Sequence, residues 1–319
     1  MAETTERISA AQPEPRRRSG LTQFFIRLVR EKPLGTIGGI IVLLLLFTAI
    51  FAPFLAPFPY REMHIGDRLH APGAKYLLGA DPLGRDLLSR IIYGARLSLY
   101  VGLGASAINV IVGTIVGVPS GYIGGKFDLV VQRFVDGLLS FPGLIFLITV
   151  MSLVGVGLVQ VIVVMGILGG IGWMRVMRAA AMGIRENVYF EAARSIGSTN
   201  PHMLRRHVLP NIMPIIIIAF SVSVAGNILA EASLSFLGVG IPPPAPSWGG
   251  MLSWEGRTYM YEAWWLAIWP GVALSIAVYG VSMWGDAVRD LLDPRLRGGG
   301  GRFGRAMRKE ARKESKTEA

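Results

Sequence analysis

The sequence predicts an all-α membrane protein with six transmembrane helices. Three observations carry this prediction. The first is composition: 52% of the 319 residues are hydrophobic, 17% are charged, and the mean hydropathy is +0.48, too apolar for an ordinary soluble domain. The second is a series of long runs without a charged residue: Pro33–Tyr60, Leu97–Gly125, Gly137–Met174, Val208–Ala230 and Ala263–Gly285. A helix needs about 20 apolar residues to cross a bilayer, and the third run, at 38 residues, accommodates two. The third is the placement of basic residues. Seven Lys/Arg lie in residues 1–32, six in 175–211 and ten beyond position 285, against Arg257 alone in 239–262. Cytoplasmic flanks carry such an excess, so both termini are expected in the cytoplasm. The long first outer loop, with five Lys/Arg against four acids between positions 61 and 90, weakly opposes the rule, which applies less to long loops.

The same numbers limit the chemistry. A net charge of +11 in so apolar a chain reads as basic flanks rather than nucleic-acid binding. The absence of cysteine excludes disulfides, thiolate metal sites and cysteine nucleophiles. His64, His70, His202 and His207 lack the four-residue spacing of a helical zinc motif.

In chain order, residues 1 to about 20 are polar, with Pro13, Pro15 and Arg16-Arg17-Arg18, and read as a disordered tail. Leu21–Lys32 sets Leu21, Phe24, Phe25 and Leu28 against Arg27, Arg30 and Lys32, the pattern of a surface-lying amphipathic helix. A signal peptide is the competing idea, but its apolar region spans about 7–15 residues, whereas Pro33–Tyr60 runs for 28. The first span is expected at about Leu34–Phe54. Residues 61–96 are mixed, with turn signals in Gly79-Ala80-Asp81-Pro82-Leu83-Gly84. They read as a plain external loop, with direct binding as the alternative.

The second span is expected at about Leu99–Val118. The glycines of Gly121–Lys126 suggest a phosphate loop, but Ser120 and Phe127 stand where a Walker motif requires Gly and Ser/Thr. A glycine turn fits better. Phe127–Asp136 reads as the start of a helix whose apolar face is buried by neighbours. Spans three and four are expected at about Phe134–Val154 and Val159–Val176, joined by a turn at Gly155-Val156-Gly157. Gly166, Gly169, Gly170 and Gly172 indicate close helix packing in the fourth. Span five continues from Val208 past Glu231 to about Phe236. An acid within a span costs roughly 3 kcal/mol on insertion scales and is turned toward protein or a cavity. Glu231 therefore either lines or gates a pathway, or makes a structural hydrogen bond between helices. The prolines of 242–246 make a stiff outer loop, and Trp248, Trp254, Tyr259, Tyr261, Trp264 and Trp265 suit an interfacial belt. The sixth span, Ala263–Gly285, contains Pro270, expected to kink it beside a cavity. Asp286–Arg297 reads as an exit helix and 298–319 as a mobile tail.

Between spans four and five, residues 175–211 are polar and basic. Tyr189, Ala192, Ala193 and Ile196 recur on one helical face. Gly197 can close that helix in a left-handed conformation. Asn200-Pro201 restarts the chain, with Asn as N-cap and Pro first in the helix, and Pro210 and Pro214 limit its continuation. Two readings are open: an amphipathic helix lying on the bilayer, or an elbow that presses into a groove on another protein. In the second, the alanines allow close approach and Glu191 offers a charge.

The stretch Glu191-Ala192-Ala193, three residues, Gly197, nine residues, then Leu209-Pro210 two positions on, resembles the cytoplasmic loop signature of ABC-importer permease subunits. His207 stands where the family usually has an aliphatic residue; His207-Val208-Leu209-Pro210-Asn211 is common in the dipeptide/oligopeptide/nickel branch. Gly84–Leu99 and Glu231–Gly249 resemble the same branch. The resemblance runs from about Lys32 to Arg297. It implies a type I-like permease: a cytoplasmic N-terminal tail and amphipathic segment (1–32), a first span with its external loop (33–96), a five-helix transport domain containing the coupling loop 175–211 (97–285), and a C-terminal helix and tail (286–319). It implies that Glu191, Ala192, Ala193, Gly197, Leu209 and Pro210 couple to an ATPase, with Glu231 and Pro270 as pathway or gate candidates. It also implies a related permease subunit, two ATP-binding subunits, an extracytoplasmic binding protein and membrane lipid as partners in a bacterial inner membrane. No catalytic residue, metal or nucleic acid is expected. With no Walker motif or ABC signature in the chain, ATP and Mg would bind on the partner ATPases. Peptides are the first expected cargo, with nickel or another small solute as the alternative. An ion-coupled secondary transporter would rest on Glu231, and a membrane-embedded enzyme would need clustered His, Asp or Glu that the sequence lacks.

Overall fold

The charge-free runs become helices almost throughout. A computed structural model describes residues 20–187, 190, 191, 195 and 197–292. Among the described residues there is no strand, only an isolated antiparallel bridge between Ala80 and Asp86. Helices of twelve or more residues are α1 (Gly20–Glu31), α2 (Pro33–Ile50), α3 (Leu87–Ile123), α4 (Gly125–Leu139), α5 (Gly143–Val154), α6 (Leu158–Arg185), α7 (Leu209–Phe236) and α8 (Trp265–Leu292). Five stretches are long and apolar enough to cross a membrane as single helices; α4 and α5 pass that test only as a pair, bent by 90° between them.

The centre is built on α3. Asp86 caps its start, accepting from Ser89 N at 2.8 Å, and Gly124 ends it at φ +69°. Gly113, Gly117 and Gly121 recur every four residues along one face. A Cβ at Gly117 would lie 2.3 Å from Met174 O, and one at Gly121 would lie 2.3 Å from Arg178 O. The backbone of α6 therefore rests directly on this face, the geometry that small residues permit where lipid supplies no hydrophobic drive between helices. In return, Gly166 and Gly170 of α6 face Ile108 and Val112 of α3, whereas a Cβ at Gly172 meets open space. Deep in this region Asn227 Nδ2 of α7 donates to Ser106 Oγ of α3 at 2.9 Å. A second seam joins α2 to α8, with Gly38 against Gly280 O and Trp284 N. The outer side of α2 carries exposed Leu43, Leu44 and Phe47, a lipid-facing surface.

The amphipathic α1 closes this side: Leu28 is buried with Ala287 and Leu291, and Phe24 meets Trp284 edge-on. The side chains of Leu21 and Phe25 lie outside the described residues. Lys32 pairs with Asp290, so α1 and the end of α8 share one face of the molecule.

Several boundaries differ from the expectation. The third span is not one helix over Phe134–Val154; it breaks at Ser140-Phe141-Pro142, because Pro142 cannot donate a helical hydrogen bond and biases Phe141 away from helix. The apolar face of 127–136 is not buried either. Phe127, Leu129, Val130 and Phe134 are exposed, and Val135 is the residue of α4 that packs inside. Helix α3 starts ten residues before the expected domain boundary at 96/97. The exit segment continues α8 without a break as far as Leu292. Trp248 and Trp265 are buried rather than interfacial, while Trp254, Tyr261 and Trp264 are exposed.

Candidate functional site

The cytoplasmic loop predicted from sequence forms an elbow tied to the ends of three helices. Gly197 turns at φ +86°, the left-handed conformation that glycine adopts without steric cost. A Cβ there would meet nothing within 4 Å. Before the turn, Phe190 is buried, its ring 5.7 Å from Tyr122 at the end of α3. After it, Asn200 Oδ1 accepts from Tyr122 Oη at 2.8 Å, and Arg185 Nη1 donates to Tyr122 O at 3.2 Å. Tyr122 thus holds both arms of the elbow. Met203, Val208 and Ile212 carry the same core into α7.

The helix restart differs in detail. Thr199 is the N-cap, and Asn200 and Pro201 are the first two helical residues. Pro210 and Pro214 do not stop the chain: Asn200–Phe236 is continuous. A π turn over Leu204–Val208 precedes Pro210. Such turns re-register a ladder from which a donor is missing. Residues 200–208 are therefore a continuous extension of α7.

Glu191, Gly197 and Pro210 are exposed and Leu209 is half-buried against the core. Ala192 and Ala193, with Tyr189, Arg194 and Ile196 around them, lie outside the described residues. Two Arg–Asp pairs flank the elbow on α6: Arg178 grips Asp128 of α4 through Nε and Nη2, and Arg175 pairs with Asp136. The shared charges fasten α4, which buries little apolar surface, to α6.

At the opposite end Glu231 is 1% exposed. Its Oε1 accepts from Ser235 Oγ at 2.7 Å and Ser247 Oγ at 2.8 Å. Ser247 caps the short helix Trp248–Gly250. A Cβ at Gly249 would lie 2.0 Å from Ala232 O, so this helix is pressed onto α7 beside the glutamate. The geometry supports the structural reading of Glu231. Pro270 is buried at the sixth position of α8.

A second group at this end has no counterpart among the sequence-derived candidates. Asp81, Arg85, Arg90 and Glu255 are all buried. Asp81 Oδ1 accepts from Leu83 N and Arg85 N at 2.8 and 2.9 Å, and its Oδ2 from Arg85 Nε at 2.5 Å. Glu255 Oε1 accepts from Arg85 Nη2 at 2.8 Å and Arg90 Nη2 at 3.1 Å. The turn signals of 79–86 and the π turn Met251–Gly256 bring these four charges together across 170 residues. The sequence signal was charge density in a segment otherwise made of turn residues; the partner, Glu255, lies too far along the chain for spacing to find it.

Five long apolar helices and the bent α4–α5 pair, with folded segments at both ends of the bundle, mark a multi-pass membrane protein. Residues 110–298 match the family described as "Binding-protein-dependent transport system inner membrane component", and residues 20–72 match "N-terminal TM domain of oligopeptide transport permease C". The chain belongs to this family of ABC-importer inner-membrane permeases. The di/tripeptide transport system permease protein of Pseudomonas aeruginosa is 36% identical over 286 residues, covering 88% of this chain and 93% of that protein. The glutathione transport system permease protein of Pectobacterium atrosepticum is 36% identical, covering 86% and 91%. An inward-facing structure of the MetNI methionine ABC transporter matches with a TM-score of 0.50 at 22% identity, over 65% of this chain and 98% of that one, which bears on the fold alone.

Proposed function

We infer that this chain carries short peptides inward across the bacterial cytoplasmic membrane as one permease subunit of an ATP-driven importer. The observation that carries the reading is the shared cargo of its relatives. Permeases named for di/tripeptides and for glutathione, itself a short peptide, match more than four fifths of this chain at 36% identity. A related permease subunit would complete the pathway. Two ATP-binding subunits would dock at the elbow, holding ATP and Mg themselves, and an extracytoplasmic binding protein would deliver cargo to the cap. Both termini lie in the cytoplasm in this arrangement, in keeping with the basic flanks.

Mechanically, closure of the ATPases would push on the elbow surface that includes Glu191 and Gly197. Tyr122, Phe190 and Asn200 would pass that displacement to α3 and α7, because packed cores transmit strain rather than absorb it. Glu231 would hold the cap on α7 while the spans tilt. The test is uptake of labelled dialanine by cells carrying the importer. Gly197→Asp is expected to abolish uptake while the chain inserts normally, since Asp is among the side chains that tolerate the left-handed region, its Cβ meets nothing within 4 Å, and it places a charge on the docking surface. Normal uptake, or loss of the inserted chain, contradicts the assignment. Uptake that follows the proton gradient and ignores ATP would return the secondary-transporter reading.

A further inference from the structure

A cavity of about 500 Å³ opens above the buried charge cluster at the cap end of the molecule. Arg85, Arg90 and Glu255 border it from below, Pro242, Pro243 and Met251 form an apolar wall, and Leu83, Trp254 and Tyr259 stand at the rim. Trp254 is 70% exposed, so its indole is in reach of whatever enters. Volume and lining match those of small-molecule sites, which run to about 300–1,000 Å³ with mostly apolar walls and a few convergent polar groups.

The charges are balanced but not used up. Two guanidinium groups face two carboxylates, so the cluster is neutral. Arg90 is 5% exposed and Glu255 is 8% exposed. Yet Arg90 Nε and Nη1 and Glu255 Oε2 have no hydrogen-bonding partner; Arg90 Nε stands 3.5 Å from Asp81 Oδ2, an ion-pair distance only. Buried polar groups are paired in the great majority of cases, and each exception needs a cause. A cluster serving only to clamp the loop to the π turn would satisfy its members, because a half-satisfied buried network is worse than an apolar contact. What remains open is one cationic donor group and one anionic acceptor, side by side beneath a cavity with apolar walls.

We propose that this cavity binds the charged termini of a zwitterionic peptide at the cap of the permease, its carboxylate toward Arg90 and its ammonium toward Glu255. The unpartnered atoms are not themselves solvent-exposed, but both side chains line the cavity, so engagement requires them to turn toward it. The apolar wall and Trp254 take the peptide's side chains. The proposal rests on the importer reading above and deepens it by locating a cargo site on this chain.

The test is saturation-transfer NMR on the full chain in lipid nanodiscs, with dialanine as probe. Wild type is expected to transfer saturation to dialanine and not to N-acetyl-dialanine methylamide, which has the same body without the charges. Glu255→Gln or Arg90→Gln is expected to abolish the signal, but either variant can misfold through the buried cluster. Leu83→Trp avoids this: Leu83 is 43% exposed at the rim, and the larger ring obstructs the cavity without touching the charges. Its dialanine signal is expected to be lost while circular dichroism is unchanged. An equal signal from the blocked peptide, no signal from wild type, or an undiminished signal from Leu83→Trp overturns the proposal and leaves the cluster as a clamp. Cellular uptake separates the two readings: dialanine uptake that requires this chain upholds the importer assignment whichever way the NMR falls.

Discussion

Gly197 and Glu231 show two different ways in which one residue matters. At Gly197 the requirement is conformational: φ is +86° and the surroundings are open. Gly197→Asn is expected to retain insertion and most elbow geometry, because Asn tolerates the left-handed region, whereas Gly197→Val forces a β-branched residue into a genuine outlier. Cross-linking of the elbow to co-purified ATPase, measured for both variants, is expected to persist for Asn and fail for Val. At Glu231 the requirement is an acceptor. Glu231→Ala strands the hydroxyls of Ser235 and Ser247, each at a cost of about 1–3 kcal/mol, and is expected to lower the melting temperature of the purified chain clearly. Glu231→Gln keeps an acceptor oxygen and is expected to cost less. Equal losses for both variants would show that charge rather than hydrogen bonding matters there. The turn at Gly197 was legible in the sequence because a glycine after a helical face has one common use. The partners of Glu231 were not, since Ser247 is brought back by a loop whose path no local pattern records.

Among the elements, α4–α5 departs most from its sequence pattern and α3–α6 follows it most closely. Run length predicts one span over Phe134–Val154, and the break at Ser140-Phe141-Pro142 turns that span through 90°. Hydropathy measures apolar length and is blind to the direction of the axis, which is why the bend was illegible although the proline was in view. The glycines of the fourth span were legible as packing residues, but not which of them touch. The structure separates them, and the separation is testable. Gly166→Ala would set a Cβ 2.5 Å from Ile108 Cβ and is expected to destabilise by the 1–3 kcal/mol or so typical of overpacking. Gly172→Ala meets open space and is expected to be neutral or to gain up to about 1 kcal/mol of helix propensity. Thermal unfolding of the two variants in one detergent checks the contrast. In the cap, the loop before α3 is pinned by Asp67, whose carboxyl is held below the ordinary value of 3.8 by hydrogen bonds from Lys75 and then Tyr76. A depressed carboxylate stabilises above its unfolded pKa and loses that contribution as pH falls through the folded value. Hydrogen exchange in residues 64–76 is therefore expected to be flat from neutral pH down to about pH 4, after correction for intrinsic rates. It is expected to quicken below that, and Asp67→Asn is expected to remove the transition.

At the scale of the whole molecule, two folded ends are joined by continuous helices. The elbow is an extension of α7 by way of the π turn, α7 reaches the cap at Glu231, and α3 runs from the capped loop at Asp86 to Tyr122 in the elbow. A displacement at either end is therefore a displacement of the same two helices. The apolar faces of α2, α4 and α5 are exposed on this chain. Five long apolar helices, their order and the place of the turn at Gly197 could be read from charge-free runs and turn residues. The buried ion cluster could not, because it is assembled from residues 170 positions apart in two segments that each read as loop. The most direct measurement is affinity purification of this chain from its native membrane under gentle extraction, with identification of every stoichiometric partner, for wild type and Gly197→Asp. Recovery of ATP-binding subunits with wild type and their loss from the variant is the predicted result. A wild-type chain that comes out alone, or only with copies of itself, would contradict the coupling role assigned to the elbow.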